Sequence, residues 1–199
     1  MSSFCQHQRL MVKNHRDGPE KHQDKNEMVF EMDHATYIMI LSHFKIRQPH
    51  LCNHSHIPHP EDAEVLLNYA KEVSSLHKEE CLISKNKPNN MIQYINHNQI
   101  WFGNVLHILK VMNEETEDML LLVKHLKLAK SEWGEEQWLE SVFERLSVVH
   151  LNQTGCFKIV PSSLVLGTCA FRKVPAWTLG CKDPSIFVQV IKKLSTQSH

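Results

Sequence analysis

The sequence predicts a mainly α-helical protein, a single-domain bundle of about five or six helices with a short irregular or β-like insert near the C-terminus. Apolar residues recur at helical spacing in successive segments, and only one stretch is rich in β-branched, aromatic and turn residues. The length of 199 residues suits one domain, and 42% hydrophobic with 22% charged residues is ordinary for a globular chain. These values exclude a wholly disordered chain, a collagen-like repeat and a membrane bundle.

The N-terminal segment, residues 1–26, is polar with little periodicity, so we expect a mobile arm ahead of a helical domain that spans residues 27–199. The first helix is predicted over residues 26–47, and Pro49 stops it. Its apolar stripe recurs at spacings of four, three and four residues, at Met28, Met32, Ala35 and Met39.

Residues 48–60 are predicted to form a His- and Pro-rich loop, since three prolines fall within this stretch. Pro60 then suits the first turn of a second helix, which ends before the loop at residues 84–90. The acidic residues that follow Pro60 favour the positive N-terminal end of a helix.

Three further helices are predicted over residues 90–112, from Asn113 to the break at Gly134, and over residues 135–150. Lys124, Lys127 and Lys130 are interpreted as a solvated face of the fourth helix, with phosphate contact as the alternative. The core is predicted to be anchored by residues in the middle of the apolar stripes: Met39, Leu66, Ile95, Leu109, Leu122, Val142 and Leu146.

The composition changes over residues 156–178, which we expect to form two or three short strands or an extended strap packed on the helices. Asp183 and Pro184 then suit the start of a final helix. The apolar side of that helix would carry Ile186, Phe187, Val190, Ile191 and Leu194.

A histidine cluster is the sharpest chemical signal in the sequence. Its five donors within ten residues are His50, Cys52, His54, His56 and His59. Imidazole and thiolate are the ligands that zinc prefers, so zinc is the cofactor that this cluster suggests. The segment lacks a second ligand pair, and a solvated loop or a pH-responsive contact are the alternative interpretations.

The charges are distributed unevenly along the chain although the formal net charge is zero. Residues 60–144 carry eight positive and fifteen negative side chains, a balance of −7, while residues 145–199 carry seven positive and one negative, a balance of +6. Either the basic C-terminal part docks on the acidic helices, or it faces an acidic partner. The candidate partner-binding residues are Trp133, Arg172, Lys173, Lys182, Lys192 and Lys193.

Known catalytic motifs are missing from the sequence: it has no Gly-x-Ser-x-Gly, no His-Glu-x-x-His and no phosphate-binding glycine loop. The six cysteines are irregularly spaced, and the first ten residues lack the apolar core of a signal peptide. We therefore expect an intracellular protein, cytoplasmic or nuclear, with reduced thiols. No apolar stretch is long enough to cross a bilayer, so no membrane partner is expected.

These observations favour a non-enzymatic helical module that binds or scaffolds another protein. A nucleic-acid partner is less favoured because the net charge is zero. The alternative is a zinc-binding domain or a small metal-dependent enzyme built on the loop from His50 to His59. In that case Glu61, Asp62 or Glu64 would supply the general base.

Overall fold

The architecture is mainly β, and the predicted helical bundle is wrong. A computed structural model describes residues 28–113, 116–129, 148–152 and 155–189. These contain one α-helix, α1 (His34–Lys45), and two 3-10 turns at Ser162–Leu164 and Thr178–Gly180. Fourteen strands lie in the same part of the chain: β1 (Met28–Glu31), β2 (Cys52–Asn53), β3 (Val65–Leu66), β4 (Tyr69–Glu72), β5 (Ser75–Lys78), β6 (Cys81–Ser84), β7 (Met91–Asn96), β8 (Gln99–Asn113), β9 (Thr116–Leu128), β10 (Val148–Asn152), β11 (Phe157–Pro161), β12 (Val165–Thr168), β13 (Ala170–Val174) and β14 (Ser185–Gln189).

Hydrogen-bonded neighbours close a ring of strands. β7 pairs with β8, β8 with β9, β9 with β10, β10 with β14, and β14 with β13, all antiparallel. Cys169 alone separates β13 from β12, which pairs back with β7. This strand ring brings residues from distant parts of the sequence onto one inner face.

The remaining strands extend the ring. The far end of β8 pairs with β4, which pairs with β1, and β11 lies along β9. Two small sheets, β2 with β3 and β5 with β6, complete the described part of the fold. No helix among the described residues is long and apolar enough to span a membrane.

Helix α1 lies within the first predicted helix, but its buried face differs from the predicted stripe. The Asp33 side chain caps it by accepting from the backbone N–H of Thr36 (3.0 Å). That hydrogen bond lowers the pKa of the Asp33 carboxyl. The buried side chains of α1 are Thr36, Tyr37, Ile40, Leu41 and Phe44, whereas Ala35 is exposed. All of these except Thr36 belong to an apolar cluster that also contains Leu109 and Val111 of β8 and Leu120 of β9.

The other predicted helices are wrong, because the segments form strands. The second covers β3 to β5 and most of β6, the third covers β7 and β8, the fourth covers β9, and the last begins where β14 lies. Of the fifth, residues 148–150 belong to β10 and the rest lie outside the described residues. Strands buried on both faces are apolar at consecutive positions, as at Leu120 to Val123, and such a run also satisfies a helical spacing.

The segment 156–178 does form three strands, β11, β12 and β13, as one of the two expectations had it. They are joined into the sheet instead of lying on helices. Of the predicted core, Leu66, Leu109 and Leu122 are buried, while Met39 and Ile95 are half-buried. Val142, Leu146 and the predicted N-terminal arm lie outside the described residues.

The core is divided into three apolar clusters. The first lies under α1 and the second around the middle of β8 and β9. The third is contributed by strands β7, β8, β9, β10 and β14 together with Cys169, and contains Met91, Phe102, Leu126, Leu151, Cys169, Ile186 and Val188. The candidate site opens beside this third cluster.

Candidate functional site

A cleft rimmed by three lysines opens beside the third apolar cluster, with a volume of about 190 Å³. We call it the lysine cleft. Its lining comes from five regions of the chain and consists of Lys87, Asn90, Met91, Asn104, Lys124, Leu126, Phe171, Lys173 and Ile186.

Strand register explains how these residues meet. Asn104 on β8 lies opposite Met91 on β7 and opposite Lys124 on β9, so the three stand side by side across neighbouring strands. On the other side of the cleft Lys173 of β13 lies opposite Ile186 of β14. Closure of the strand ring therefore assembles a site from residues that are far apart in the sequence.

The third lysine, Lys87, comes from the segment before β7. Its ammonium nitrogen lies 5.9 Å from the centre of the Phe171 ring, which is within the range of a cation–π contact. This contact orients Lys87 toward β13, where Lys173 also faces the cleft.

The cleft is electrostatically unbalanced. None of its lining residues is acidic, and within the described part of the chain no ion pair involves Lys87, Lys124 or Lys173. Three like charges around one opening create a positive potential that attracts anions. An anionic side chain would relieve the repulsion that the three ammonium groups exert on one another.

A buried amide adds a polar feature to the cleft. Asn90 is only 7% exposed, and its Oδ1 atom has no hydrogen-bond partner. A buried polar atom without a partner costs on the order of 1–3 kcal/mol, so such atoms commonly mark a position where a ligand or a water bonds. The backbone carbonyl of Asn90, by contrast, is satisfied, since it accepts from the N–H of Val105 (2.7 Å).

The floor of the cleft is apolar. Met91, Leu126 and Ile186 are buried there, and the half-buried ring of Phe171 forms part of the wall. Binding sites commonly combine such an apolar floor with a few convergent polar groups. The arrangement suits a ligand that carries negative charge next to apolar or main-chain groups.

The predicted partner-binding residues are only partly brought together. Arg172 is exposed on β13 and Lys182 is exposed on the segment that links β13 to β14, but of the predicted residues only Lys173 lines the cleft in the described part of the chain. The same segment carries Trp177, which is 61% exposed and has a left-handed backbone (φ 64°) that bulky residues rarely adopt. Trp133, Lys192 and Lys193 lie outside the described residues.

Sequence reasoning missed Lys87, Asn90, Asn104 and Phe171 as site residues, and it placed Lys124 on a solvated helix face. No local motif marks them, because each comes from a different strand or loop. The basic character of the C-terminal part was the one signal in the sequence that pointed toward the site, through Lys173.

The histidine cluster does not assemble a metal site within the described residues, where no three His, Cys, Asp or Glu side chains are arranged to hold an ion. The thiol of Cys52 donates to the carbonyl of His50 (3.5 Å), and the ring of His54 packs edge-on against Tyr37 (4.6 Å between centroids). His56 and His59 lie in the loop that follows. The zinc interpretation gains no support from this geometry.

One arrangement resembles a catalytic pair in its distances. His150 Nε2 lies 2.6 Å from the hydroxyl oxygen of Ser185, and the Cys181 sulfur lies 3.9 Å from His150 Nδ1. Ser185 is only 1% exposed, however, so its hydroxyl is closed to a substrate. Burial also lowers the pKa of His150, which favours the neutral ring. The contact between His150 and Ser185 links β10 to β14 within the core.

A second buried polar pair lies near the middle of the ring. The hydroxyl of Tyr94 and Nδ1 of His125 are 2.9 Å apart, and both residues are almost fully buried. Burial raises the pKa of Tyr94 and lowers that of His125, so both side chains are neutral near pH 7. This pair joins β7 to β9 and has no opening to the lysine cleft among its described contacts.

Comparison with known proteins finds no matching family model, no similar curated protein and no similar solved structure.

Proposed function

We propose that the chain is a non-enzymatic protein-binding module that takes an acidic segment of a partner protein in the lysine cleft. The observation that carries this proposal is the convergence of Lys87, Lys124 and Lys173 on one apolar-floored opening whose lining contains no carboxylate. The proposal keeps the protein-binding function expected from the sequence and replaces the helical surface with a site made by strands.

The number of lysines matters to the argument. A single exposed ion pair contributes only about 0–1 kcal/mol, because water screens it and the side chains lose freedom. Three ammonium groups around one partly enclosed opening act together on a run of acidic side chains, and the local potential also accelerates encounter. We therefore expect binding that is strongly salt-dependent and specific to this face of the molecule.

The arrangement of the cationic side chains favours a protein partner over nucleic acid. The formal net charge is zero, and the cationic side chains surround a compact opening with a floor of Met91, Leu126 and Ile186. Nucleic-acid sites instead follow an extended basic groove or stack bases on several aromatic rings. An acidic peptide matches both the charge of the rim and the apolar floor.

An enzymatic role is disfavoured by the chemistry of the lining. The lining has no carboxyl, imidazole, hydroxyl or thiol group, so the amines of the three lysines are its only groups of the kind that act as a base or a nucleophile, and no second titratable group stands beside them in the lining to activate them. The Ser185–His150 pair has suitable distances but is sealed from solvent on the Ser185 side. Binding rather than turnover is the activity that this cleft supports.

We also place the module inside the cell, in the cytoplasm or the nucleus. The cysteines in the described part of the chain, Cys52, Cys81, Cys156, Cys169 and Cys181, are all free thiols. Free thiols are typical of a reducing compartment.

The test is a binding titration with the full chain and a capped octapeptide of alternating Glu and Val. Its only charges are on its Glu side chains. We expect saturable binding, weakened at least tenfold by Lys173→Glu and by Lys124→Glu. Lys127→Glu is the matched control, because Lys127 is exposed on the same strand as Lys124 but does not line the cleft.

Three outcomes would overturn the proposal. The first is that the peptide does not bind. The second is that Lys127→Glu weakens binding as much as Lys124→Glu does, because the effect would then depend on the overall charge of the protein and not on the cleft. The third is tighter binding of a single-stranded oligonucleotide with the same charge, which would assign the cleft to nucleic acid.

A further inference from the structure

The outer edge of β13 borders the lysine cleft. β13 pairs with β14 along all five of its residues, whereas the preceding strand β12 pairs with β7. The contact with the β7 side reaches Cys169, whose N–H donates to the carbonyl of Met91 (2.8 Å). Among the described residues, Ala170 to Val174 have no strand on this second edge.

The chain before β7 does not fill that edge with hydrogen bonds. The carbonyls of Asn89 and Asn90 accept from Ser84 (3.0 Å) and Val105 (2.7 Å), so they are directed to other parts of the fold. An open strand edge offers a row of N–H and C=O groups that can pair with another extended chain.

From these observations we propose that the acidic partner segment binds as an extended strand along the free edge of β13, with Asn90 Oδ1 accepting one of its main-chain N–H groups. This inference rests on the proposed function, because it specifies the conformation in which the partner enters the lysine cleft. It is the binding mode known as strand addition, in which main-chain bonds supply affinity and alternate side chains supply specificity.

The side chains of β13 show what such a strand would meet. Phe171 and Lys173 face the cleft, and Arg172, which lies between them, points to the opposite face by strand alternation. A paired strand would therefore present every second side chain to Lys173 and its neighbours. Its other side chains would lie on the face of the sheet that carries Arg172.

The buried amide of Asn90 distinguishes a peptide from a simple anion. Its unpartnered Oδ1 is an acceptor, and it requires a donor from the ligand. Carboxylates and fully ionised phosphates have no proton to donate, whereas every peptide unit except proline has an N–H. The cleft therefore combines cations for acidic side chains with an acceptor for the main chain.

The experiment uses the Glu-Val octapeptide in three forms: unmethylated, N-methylated on every Val amide, and N-methylated on every Glu amide. In an extended chain the two sets of N–H groups point to opposite sides, so only one set faces β13. We expect one methylated peptide to bind at least tenfold more weakly than the parent, and the other to lose much less. Hydrogen exchange of the β13 amides should slow when the parent peptide binds.

The variant Asn90→Leu tests the acceptor separately. Leu is similar in size and removes an unsatisfied buried atom, so the variant should be at least as stable as the wild type. We expect peptide affinity to fall several-fold while the salt dependence stays unchanged, because no charge is removed. Lys173→Met should instead reduce the salt dependence.

The outcomes separate the two proposals. If the peptide binds through the lysines but both methylated forms bind equally well and β13 exchange does not change, strand addition is wrong and the acidic-partner function stands. An Asn90→Leu variant with unchanged affinity would remove Asn90 from the binding mode. If no form of the peptide binds, both proposals are wrong.

Discussion

Two groups of lysines differ in what their ammonium groups contact. Lys78 donates to the carbonyl oxygens of Ser162, Ser163 and Val165 at 2.8, 2.9 and 2.6 Å, and thereby joins β5 to the turn before β12. Lys87 and the two other lysines of the cleft bond to no oxygen among the described residues. The same residue type is thus structural where the fold supplies acceptors and available for a ligand where it does not.

Lys85 belongs to the structural group. It and His107 both contact one carboxylate oxygen of Glu72, at 2.9 and 2.7 Å. Burial by itself would raise the pKa of Glu72, but the hydrogen bonds from Lys85 and His107 outweigh it and hold the pKa below 4.5. Lys85 and Lys87 are two positions apart in the sequence, and a single carboxylate decides which of them is neutralised.

The largest stability effect should come from Lys78→Met, which removes three charge-assisted hydrogen bonds and leaves three carbonyls to find water. We expect a loss of about 1.5–3 kcal/mol in the free energy of unfolding, measured by urea denaturation. Octapeptide affinity should not change. A loss below about 0.5 kcal/mol would show that Lys78 is no more structural than the lysines of the cleft.

Glu72→Gln should have the next largest effect, a loss of about 1–2 kcal/mol at pH 7, because Lys85 loses its counter-charge and the hydrogen bonds to Lys85 and His107 lose their charged acceptor. The folded pKa of Glu72 is depressed, so its contribution is present above the unfolded value near 4.5 and is lost as pH falls through the folded value. Urea denaturation of both proteins at pH 7 and pH 3 checks this. A difference that stays constant between the two values would contradict the carboxylate assignment.

A smaller, pH-dependent effect should come from His125, which lies next to Lys124 on β9 but points into the core. Burial, with Lys158 and Lys127 nearby, lowers its folded pKa below 6.5, so the unfolded chain binds the proton more readily as pH falls. When the pH is lowered from 7 to 5, we expect the free energy of unfolding of the wild type to fall by about 1 kcal/mol more than that of His125→Asn. His77→Asn, which changes an exposed side chain on β5, is the matched control for replacing a histidine at the surface.

The smallest stability effect should come from the cleft itself. Lys124→Met and Lys173→Met each remove a charge that has no ion-pair partner among the described residues, so unfolding free energies should stay within about 0.5 kcal/mol of the wild type. Thermal denaturation measures this. Destabilisation of more than about 1 kcal/mol by either change would place that lysine in the structural group.

Parts of this protein follow from local sequence alone. The helix at His34–Lys45 falls within the segment predicted from apolar spacing over residues 26–47, although Met28–Glu31 in the same segment form strand β1 instead. The burial of Leu66, Leu109 and Leu122 was also expected, because the hydrophobic effect favours burial of large aliphatic side chains in helices and strands alike. The expected strands of segment 156–178 reflect β-branched residues and turns that can be read directly.

Tertiary structure decided the rest. The apolar run from Leu120 to Val123 fits one side of a helix as well as a doubly buried strand, and only pairing with β8 and β11 selects the strand. The spacing of residues within one segment carries no information about those partner strands, because strand hydrogen bonds join residues that are distant in the sequence. For the same reason Lys87, Lys124 and Lys173 stand around one cleft only after the ring of strands has closed. The sequence by itself determined only that the C-terminal part of the chain carries an excess of basic residues, because charge is counted from composition while its neutralisation depends on tertiary contacts.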